Sequence, residues 1–289
     1  MMGSCFSDEL EPYFRNSGFD VLSNPFGTLF HPLALSSVIK SSLGENEALD
    51  VFKRSDLFFS WDASSKIVGM KEEALKANLL TQRRSTREKI VEAQTIIVTF
   101  GSAFGYFNKS LGKIVANCHK APNHLFEKRL GSVDEMLADW IETIDQIRAV
   151  NPTIQFLFTV SPVRHTKDGL VENNRSKARL IELAHRICEE TGAHYFPSYE
   201  IVMDQLRDYR FFAKDLVHPN ALAVDYVWEQ FSQVAFTEET LKIIKKVNEY
   251  VKMTQHVFLH PDSEEAKKYT ESMDKLRLEI ERFSGLVRF

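Results

Sequence analysis

From residue 95 onward, short β-branched runs alternate with amphipathic segments, and that alternation sets the first expectation for the fold. Thr95-Ile96-Ile97-Val98-Thr99-Phe100 ends at Gly101 and has the pattern of a buried strand. A stretch punctuated by Gly and Asn follows to about residue 131 and predicts a loop or hairpin region. Ser132, with Glu135 three residues on, opens a helix through a capping box, and Met136, Leu137, Trp140, Ile141 and Ile144 form its apolar stripe. Asn151-Pro152 ends that unit, and a second buried strand covers 154–160, stopping at Ser161-Pro162. A third unit repeats the plan. Its helix spans 176–190 and carries Ala178, Ile181, Ala184 and Ile187, with Gly192 suited to the C′ position. A short strand over 193–196 and a helix around Val224, Val227, Trp228 and Phe231 follow. Strands alternating with helices predict βαβ units and a parallel sheet. Ligands of such sheets sit beyond the carboxyl ends of the strands, so the loops after Phe100 and Val160 are where chemistry is expected.

The two ends read differently. Asn24-Pro25-Phe26-Gly27-Thr28 marks a loop, and a helix is expected from His31-Pro32 with Leu33, Leu35, Val38 and Ile39. The polar stretch 71–93 has Leu75, Leu79 and Leu80 at helical spacing. Residues 237–255 form a lysine-rich amphipathic helix. Ala266, Tyr269, Met273, Leu276, Ile280 and Phe283 then recur three and four residues apart, too briefly for a sustained coiled coil. The expectation is a domain over 1–236 and a helical hairpin over 237–289 packed on it. A homodimer through the C-terminal helices is the other use of that seam.

Composition narrows the function. Hydrophobic residues are 44% and charged residues 26% of 289, as in an ordinary globular protein. The net charge of −4 offers no general attraction for nucleic acid, and no apolar run is long enough for a membrane span. Three cysteines (Cys5, Cys118 and Cys188) cannot all pair, and no secretory signal is visible, so a cytoplasmic setting is expected. Met2-Gly3-Ser4-Cys5-Phe6-Ser7 matches an N-myristoylation pattern, but six-residue patterns recur by chance.

Asp215-Leu216-Val217-His218-Pro219 is the most suggestive cluster. One turn of chain can set a carboxylate against one imidazole nitrogen, leaving the other as a base. Ser4 and Cys5 are the candidate nucleophiles; no Gly-x-Ser-x-Gly elbow, Gly-x-Gly-x-x-Gly, Walker loop or Cys-x-x-Cys pair occurs. Cys118, His119, His124 and His165 match no zinc spacing, so neither metal nor cofactor is expected.

Gly3-Ser4-Cys5-Phe6, Asn117-Cys118-His119, Thr159-Val160-Ser161-Pro162-Val163-Arg164-His165 and Ser176-Lys177-Ala178 together resemble the GSCFA domain family. Tyr195-Phe196-Pro197-Ser198-Tyr199-Glu200, Asp208-Tyr209-Arg210-Phe211 and Asp215-Leu216-Val217-His218-Pro219 extend the resemblance, which runs from Gly3 to about Phe231. It implies an α/β fold of three-layer α/β/α, SGNH-hydrolase-like type, built on a parallel sheet, here with a C-terminal helical appendage. It also implies that the N-terminal motif and the Asp-x-x-His motif meet at one site. Two departures stand out. The family's first motif follows a hydrophobic strand, whereas Met1-Met2 precede it here, so the nucleophile turn is expected to be poorly anchored. SGNH enzymes commonly use a Gly-x-Asn block, and Gly101-Ser102-Ala103 stands in its place.

Counting from Gly3 puts Cys5 at the attacking position of a Gly-x-Ser-like turn; Ser4 as nucleophile, or neither, are the alternatives. The helix N-terminus and a nearby His are expected to lower the Cys5 pKa. His218 is then the base and Asp215 orients it. The amides of the nucleophile turn and of Gly27, the Gly101-Ser102 segment, and a side chain at Asn117, His119 or Arg164 are the candidate oxyanion donors. Arg164 and His165 are expected to face substrate. The expected function is acyl-ester hydrolysis or acyl transfer on a small or carbohydrate-linked substrate; the alternative is a non-catalytic binding or scaffold module.

Overall fold

The structure is a computed structural model and describes residues 1–44 and 48–283, with side chains as far as 281. The chain opens with β1 (Met2–Gly3), α1 (Cys5–Asn16), α2 (Pro32–Leu43), a hairpin of β2 (Val51–Arg54) and β3 (Leu57–Ser60), and α3 (Glu72–Glu92). Then come β4 (Thr95–Phe100), β5 (Phe104–Asn108), β6 (Lys113–Val115), β7 (Phe126–Leu130), α4 (Val133–Val150) and β8 (Gln155–Val160). The rest is α5 (Leu170–Thr191), β9 (His194–Phe196), the single turn α6 (Ser198–Glu200), α7 (Ala221–Ala235), α8 (Glu238–Thr254) and α9 (Glu264–Phe283).

Four parallel strands in the order β1-β4-β8-β9 form the central sheet, flanked by helices in a three-layer α/β/α arrangement. Covering both faces explains why the predicted strands are nearly continuous hydrophobic runs. Thr95 pairs with Gln155 and the ladder continues to Phe100 and Val160, so both strands end at one edge. Phe100, Trp140 and Phe158 are fully buried, with ring centroids 5.3–5.5 Å apart, and lock α4 onto the sheet. Asn151 is the stop of that unit: its Nδ2 donates to the carbonyls of Ile90, Val91 and Ala93 and ties α3 to α4.

Several local expectations are corrected. The region after β4 is a three-stranded antiparallel sheet, β6-β5-β7. Ser132 is the N-cap of α4, but its side chain makes no capping bond. α5 begins at Leu170, a turn and a half before the expected start, and ends as predicted at Gly192 with φ 71°. α1 and the β2–β3 hairpin were not legible; Pro12 inside α1 hides its helical pattern.

The compact units are Met1–Glu9 with Leu22–Ala223, and Leu10–Val21 with Val224–Phe289. The second takes in more than the expected 237–289. Within it Phe14, Phe19, Trp228, Phe231 and Phe236 form an aromatic cluster. Its helical hairpin buries Ile244 and Val247 of α8 and Ala266 and Ile280 of α9, while Met273 and Leu276 are half-buried. The predicted seam is thus folded inward; the side chain of Phe283 lies outside the described residues. Among the described residues no helix is long and apolar enough to cross a membrane.

His31 exposes a pH-sensitive joint. Its Nδ1 accepts the Leu33 amide at 3.1 Å, capping α2, and its Nε2 donates to the Ala103 carbonyl at 3.2 Å. Only the neutral ring does both, and burial holds its pKa down at about 4. The unfolded chain therefore takes up this proton first, near its ordinary value of about 6.5. Stability falls as pH drops from there towards 4, by up to about 1.4 kcal/mol per pH unit for one group. Urea melts across that window should show the decline, and His31→Asn, which keeps a cap acceptor, should make it shallower by the share of His31, the buried His165 carrying part of the rest. An unchanged slope would refute the assignment.

Candidate functional site

β1 is only two residues long, yet it sets the Ser4-Cys5 turn. Met2 pairs with Val98 and Gly3 with Thr99 of β4, and the Ser4 amide donates to the Thr99 carbonyl at 3.1 Å. Gly3 donates to Asn24 Oδ1 at 2.8 Å and accepts from the Leu29 amide at 2.9 Å. Asp8, in the first turn of α1, accepts from Asn24 Nδ2 at 2.6 Å and Thr28 Oγ1 at 3.0 Å. The expectation of a poorly anchored turn is corrected: backbone ladder and side chains pin it from two sides.

The turn separates the two nucleophile candidates. Ser4 is fully buried; its Oγ accepts the Phe6 amide at 3.3 Å and its carbonyl accepts the Ser7 amide at 2.9 Å. It is the N-cap of α1. Cys5 is the first helical residue and is half-buried. The thiol pKa is raised, against expectation, because burial and the charges of Asp8 and Glu9 outweigh its own amide and the charge of Lys177.

The Asp215–His218 loop is self-bracing. Asp215 Oδ1 accepts the amides of Val217 and His218 at 2.9 and 3.0 Å, and Oδ2 lies 2.7 Å from His218 Nδ1. Leu216 takes φ 59° to allow this. The two backbone donors, then the imidazole, hold the Asp215 pKa at about 2. Ala213 donates to the His218 carbonyl at 2.8 Å and Arg164 to the Val217 carbonyl at 3.3 Å, fastening the loop to the chain after β8. Both side chains are about half exposed, at 47% and 49%.

The ends of β4 and β8 supply the floor. Lys177 of α5 is 1% exposed, and its Nζ donates to the carbonyls of Gly101 at 2.8 Å and Ser161 at 2.7 Å. Its charge acts on Cys5 and on His165. The His165 ring packs edge-on against Phe30 at 5.2 Å, and its Nε2 is buried with no hydrogen-bond partner. Burial, then the charges of Lys177 and His218, push its pKa down to about 4. The couplings run pairwise, from Cys5 to Lys177, from Lys177 to His165 and from His165 to His218, which pairs with Asp215. The Arg164 guanidinium lies 4.5 Å from the Phe212 ring and 5.6 Å from that of Tyr209.

The expected oxyanion donors are largely turned elsewhere. The Gly27 amide donates to the Asn24 carbonyl at 2.7 Å, and those of Gly101 and Ser102 both donate to the Phe30 carbonyl, at 2.9 and 3.0 Å. Ser102 Oγ accepts the Phe104 amide, and Ala103, fully buried, donates its amide to Ser176 Oγ at 2.8 Å. Asn117 Oδ1 accepts the His119 amide at 2.7 Å, and the His119 ring bonds the Ser60 carbonyl amid Phe52, Phe59 and Trp61. These two brace the β2–β3 hairpin. Among the described residues no group of three His, Cys, Asp or Glu is arranged to hold a metal ion.

Lys177, part of the Ser176-Lys177-Ala178 motif, was not among the expected site residues. Its signal was position: residues 177, 180, 184 and 187 share the apolar face of α5, and Leu180, Ala184 and Ile187 are buried there.

The parallel sheet, with the Ser4-Cys5 turn at the end of β1 and the Asp215–His218 loop, defines an α/β domain whose candidate site is at the carboxyl edge of the sheet. The GSCFA family model matches residues 1–231, and the chain belongs to that family. No curated protein and no solved structure matches it.

Proposed function

We propose that this protein is an SGNH-hydrolase-like acyl-ester hydrolase or acyltransferase acting on a small or carbohydrate-linked substrate. The observation that carries the reading is the Asp215–His218 pair, with the carboxylate on Nδ1 at 2.7 Å and Nε2 not tied to it. Asp215 fixes the tautomer and stabilises the imidazolium. Cys5 is the nucleophile, supported by its place at the first turn of α1 while Ser4 Oγ caps that helix. His218 takes the thiol proton as sulfur bonds the acyl carbon. The acyl–oxygen bond breaks, and the departing alkoxide takes that proton back. Water or an acceptor hydroxyl then gives its proton to His218 and attacks the thioester; the carbon–sulfur bond breaks and the thiol is restored. All three cysteines are free, and a reducing compartment, as in the cytoplasm, suits such a thiol.

The second reading, a ligand-binding module, is favoured by one observation: the amides of Gly27, Gly101 and Ser102 already have partners, so oxyanion stabilisation rests on the nucleophile turn. Turnover of p-nitrophenyl acetate separates the two readings. Asp215→Asn should lower kcat/KM by roughly 10²-fold or more, since the wrong tautomer is then favoured. Asp215 stays ionised at every pH above about 2, so a loss of activity between pH 4 and 6 is not its titration. No turnover above background by any form of the protein would leave the binding reading.

A further inference from the structure

Arg164 follows β8 into the loop at the carboxyl edge of the sheet, where it is partly buried. Among the described residues its guanidinium meets no carboxylate, and its side-chain hydrogen bond runs from Nη2 to the Met203 sulfur at 3.8 Å, a weak acceptor. The carboxylates of the neighbouring segments are engaged elsewhere. Glu200 accepts from the Tyr195 hydroxyl at 2.8 and 3.0 Å, and Asp208 pairs with Arg210 at 3.1 Å. Asp168 pairs with Lys128, Asp204 lies 3.9 Å from Arg207, and Asp215 holds its own loop. A guanidinium carries five N–H donors in a planar fork that matches carboxylate and phosphate oxygens. Partly buried arginines are ordinarily paired, so this one is suited to an anion arriving from outside.

The backbone ties this cation to the candidate base. The Arg164 amide donates at 3.3 Å to the carbonyl of Val217, the residue before His218. Phe212, whose ring lies 4.5 Å from the guanidinium, forms an antiparallel bridge with Pro219, the residue after His218. Ala213 donates to the His218 carbonyl at 2.8 Å and closes the same corner. The Tyr209 ring, 5.6 Å from the guanidinium, is 62% exposed. A guanidinium held over aromatic rings keeps its N–H edges free to donate. We propose that Arg164 binds a carboxylate or phosphate group of the molecule on which His218 acts, so that the substrate is an anionic ester. The ester rests on the acyl-transfer reading; the anion subsite rests on the geometry around Arg164 alone. A donor to the reaction's oxyanion would serve every ester, charged or neutral, whereas this subsite serves only the charged ones.

Isothermal titration of the full chain with inorganic phosphate and with succinate tests the subsite, and the tighter of the two gives the class of anion. Saturable binding is expected, weakened at least about tenfold in Arg164→Met, the loss of a charge-assisted hydrogen bond. Arg164→Lys should keep part of it, since a point charge replaces the fork. Arg210→Met should leave it unchanged, because that guanidinium is already paired with Asp208. Urea melts check folding, and Arg164→Gln carries the same test if Arg164→Met unfolds. The kinetic arm compares 4-acetoxybenzoate with its neutral methyl ester. Arg164→Met should raise KM for the anionic ester about tenfold and hold the neutral one within about twofold. Folded variants that bind both anions as the wild type does overturn the proposal, as does a wild type that binds neither. Equal losses on the two esters also overturn it and make Arg164 an oxyanion donor. Arg164-dependent anion binding without hydrolysis of either ester would remove the acyl-transfer reading and leave the anion subsite standing.

Discussion

Cys5→Ala is expected to abolish turnover of an activated acyl ester, and His218→Ala to lower it by roughly 10²–10⁴-fold, the usual contribution of a positioned acid–base group. Cys5→Ser should leave little, since a serine hydroxyl is far less ionised near neutral pH. The contrast that decides the nucleophile is Ser4→Ala. Ser4 Oγ is the N-cap of α1 and accepts the Phe6 amide, so its removal should cost about 1 kcal/mol of stability and leave most of the activity below the melting transition. Steady-state kinetics beside urea melts reads both effects. A dead but stable Ser4→Ala with an active Cys5→Ala would make this a serine enzyme. Wild-type rates in all the variants would remove the catalytic reading.

The second large effect falls on folding. A Cβ at Gly3 would lie 2.2 Å from the Thr99 carbonyl oxygen, and the residue has φ 149°, a conformation that side-chain-bearing residues rarely adopt. The clash is with backbone of the sheet, so no rotamer relieves it. Gly3→Ala should lower stability by about 3 kcal/mol or more, from overpacking and backbone strain together. It should also disturb Cys5 alkylation, because the nucleophile turn hangs from that ladder. Gly112 is the control: its φ is 65°, but nothing lies within 4 Å of an added Cβ, so Gly112→Ala should show only the smaller strain. Equal urea midpoints for the two variants would show that the close approach to Thr99 does not matter.

Much of the sheet was legible because β4 and β8 are apolar on both faces, and only a doubly covered parallel strand explains that pattern. The stripes of α4 and α5 followed from the same logic. β1 was not legible: two residues carry no periodicity, and their strand character comes from β4 pairing with them. α1 was hidden by Pro12, and the antiparallel sheet of β5, β6 and β7 by strands of three to five residues, too short to show a clear alternation.

The site divided the same way. Asp215 and His218 are three residues apart, so one turn of backbone brings them together, and their pairing was readable from local chain geometry. Everything that depended on distant partners was not. Gly27, Gly101 and Ser102 were candidate donors until Asn24 and Phe30 took their amides. Asn117 and His119 were site candidates until Ser60 and the aromatic rings of β2 and β3 claimed the imidazole. Cys5 was expected to ionise easily until burial beside Asp8 and Glu9 reversed the sign. By itself the sequence determined the alternation of strands and helices and the local Asp–His pair, because each follows from contacts within a few residues. Only the tertiary structure decided which amides are free, which of Ser4 and Cys5 is the cap, and where the Lys177 ammonium sits. Hydrogen-bond donors are few and directional, and which acceptor reaches them is set by strands and loops that lie far apart along the chain.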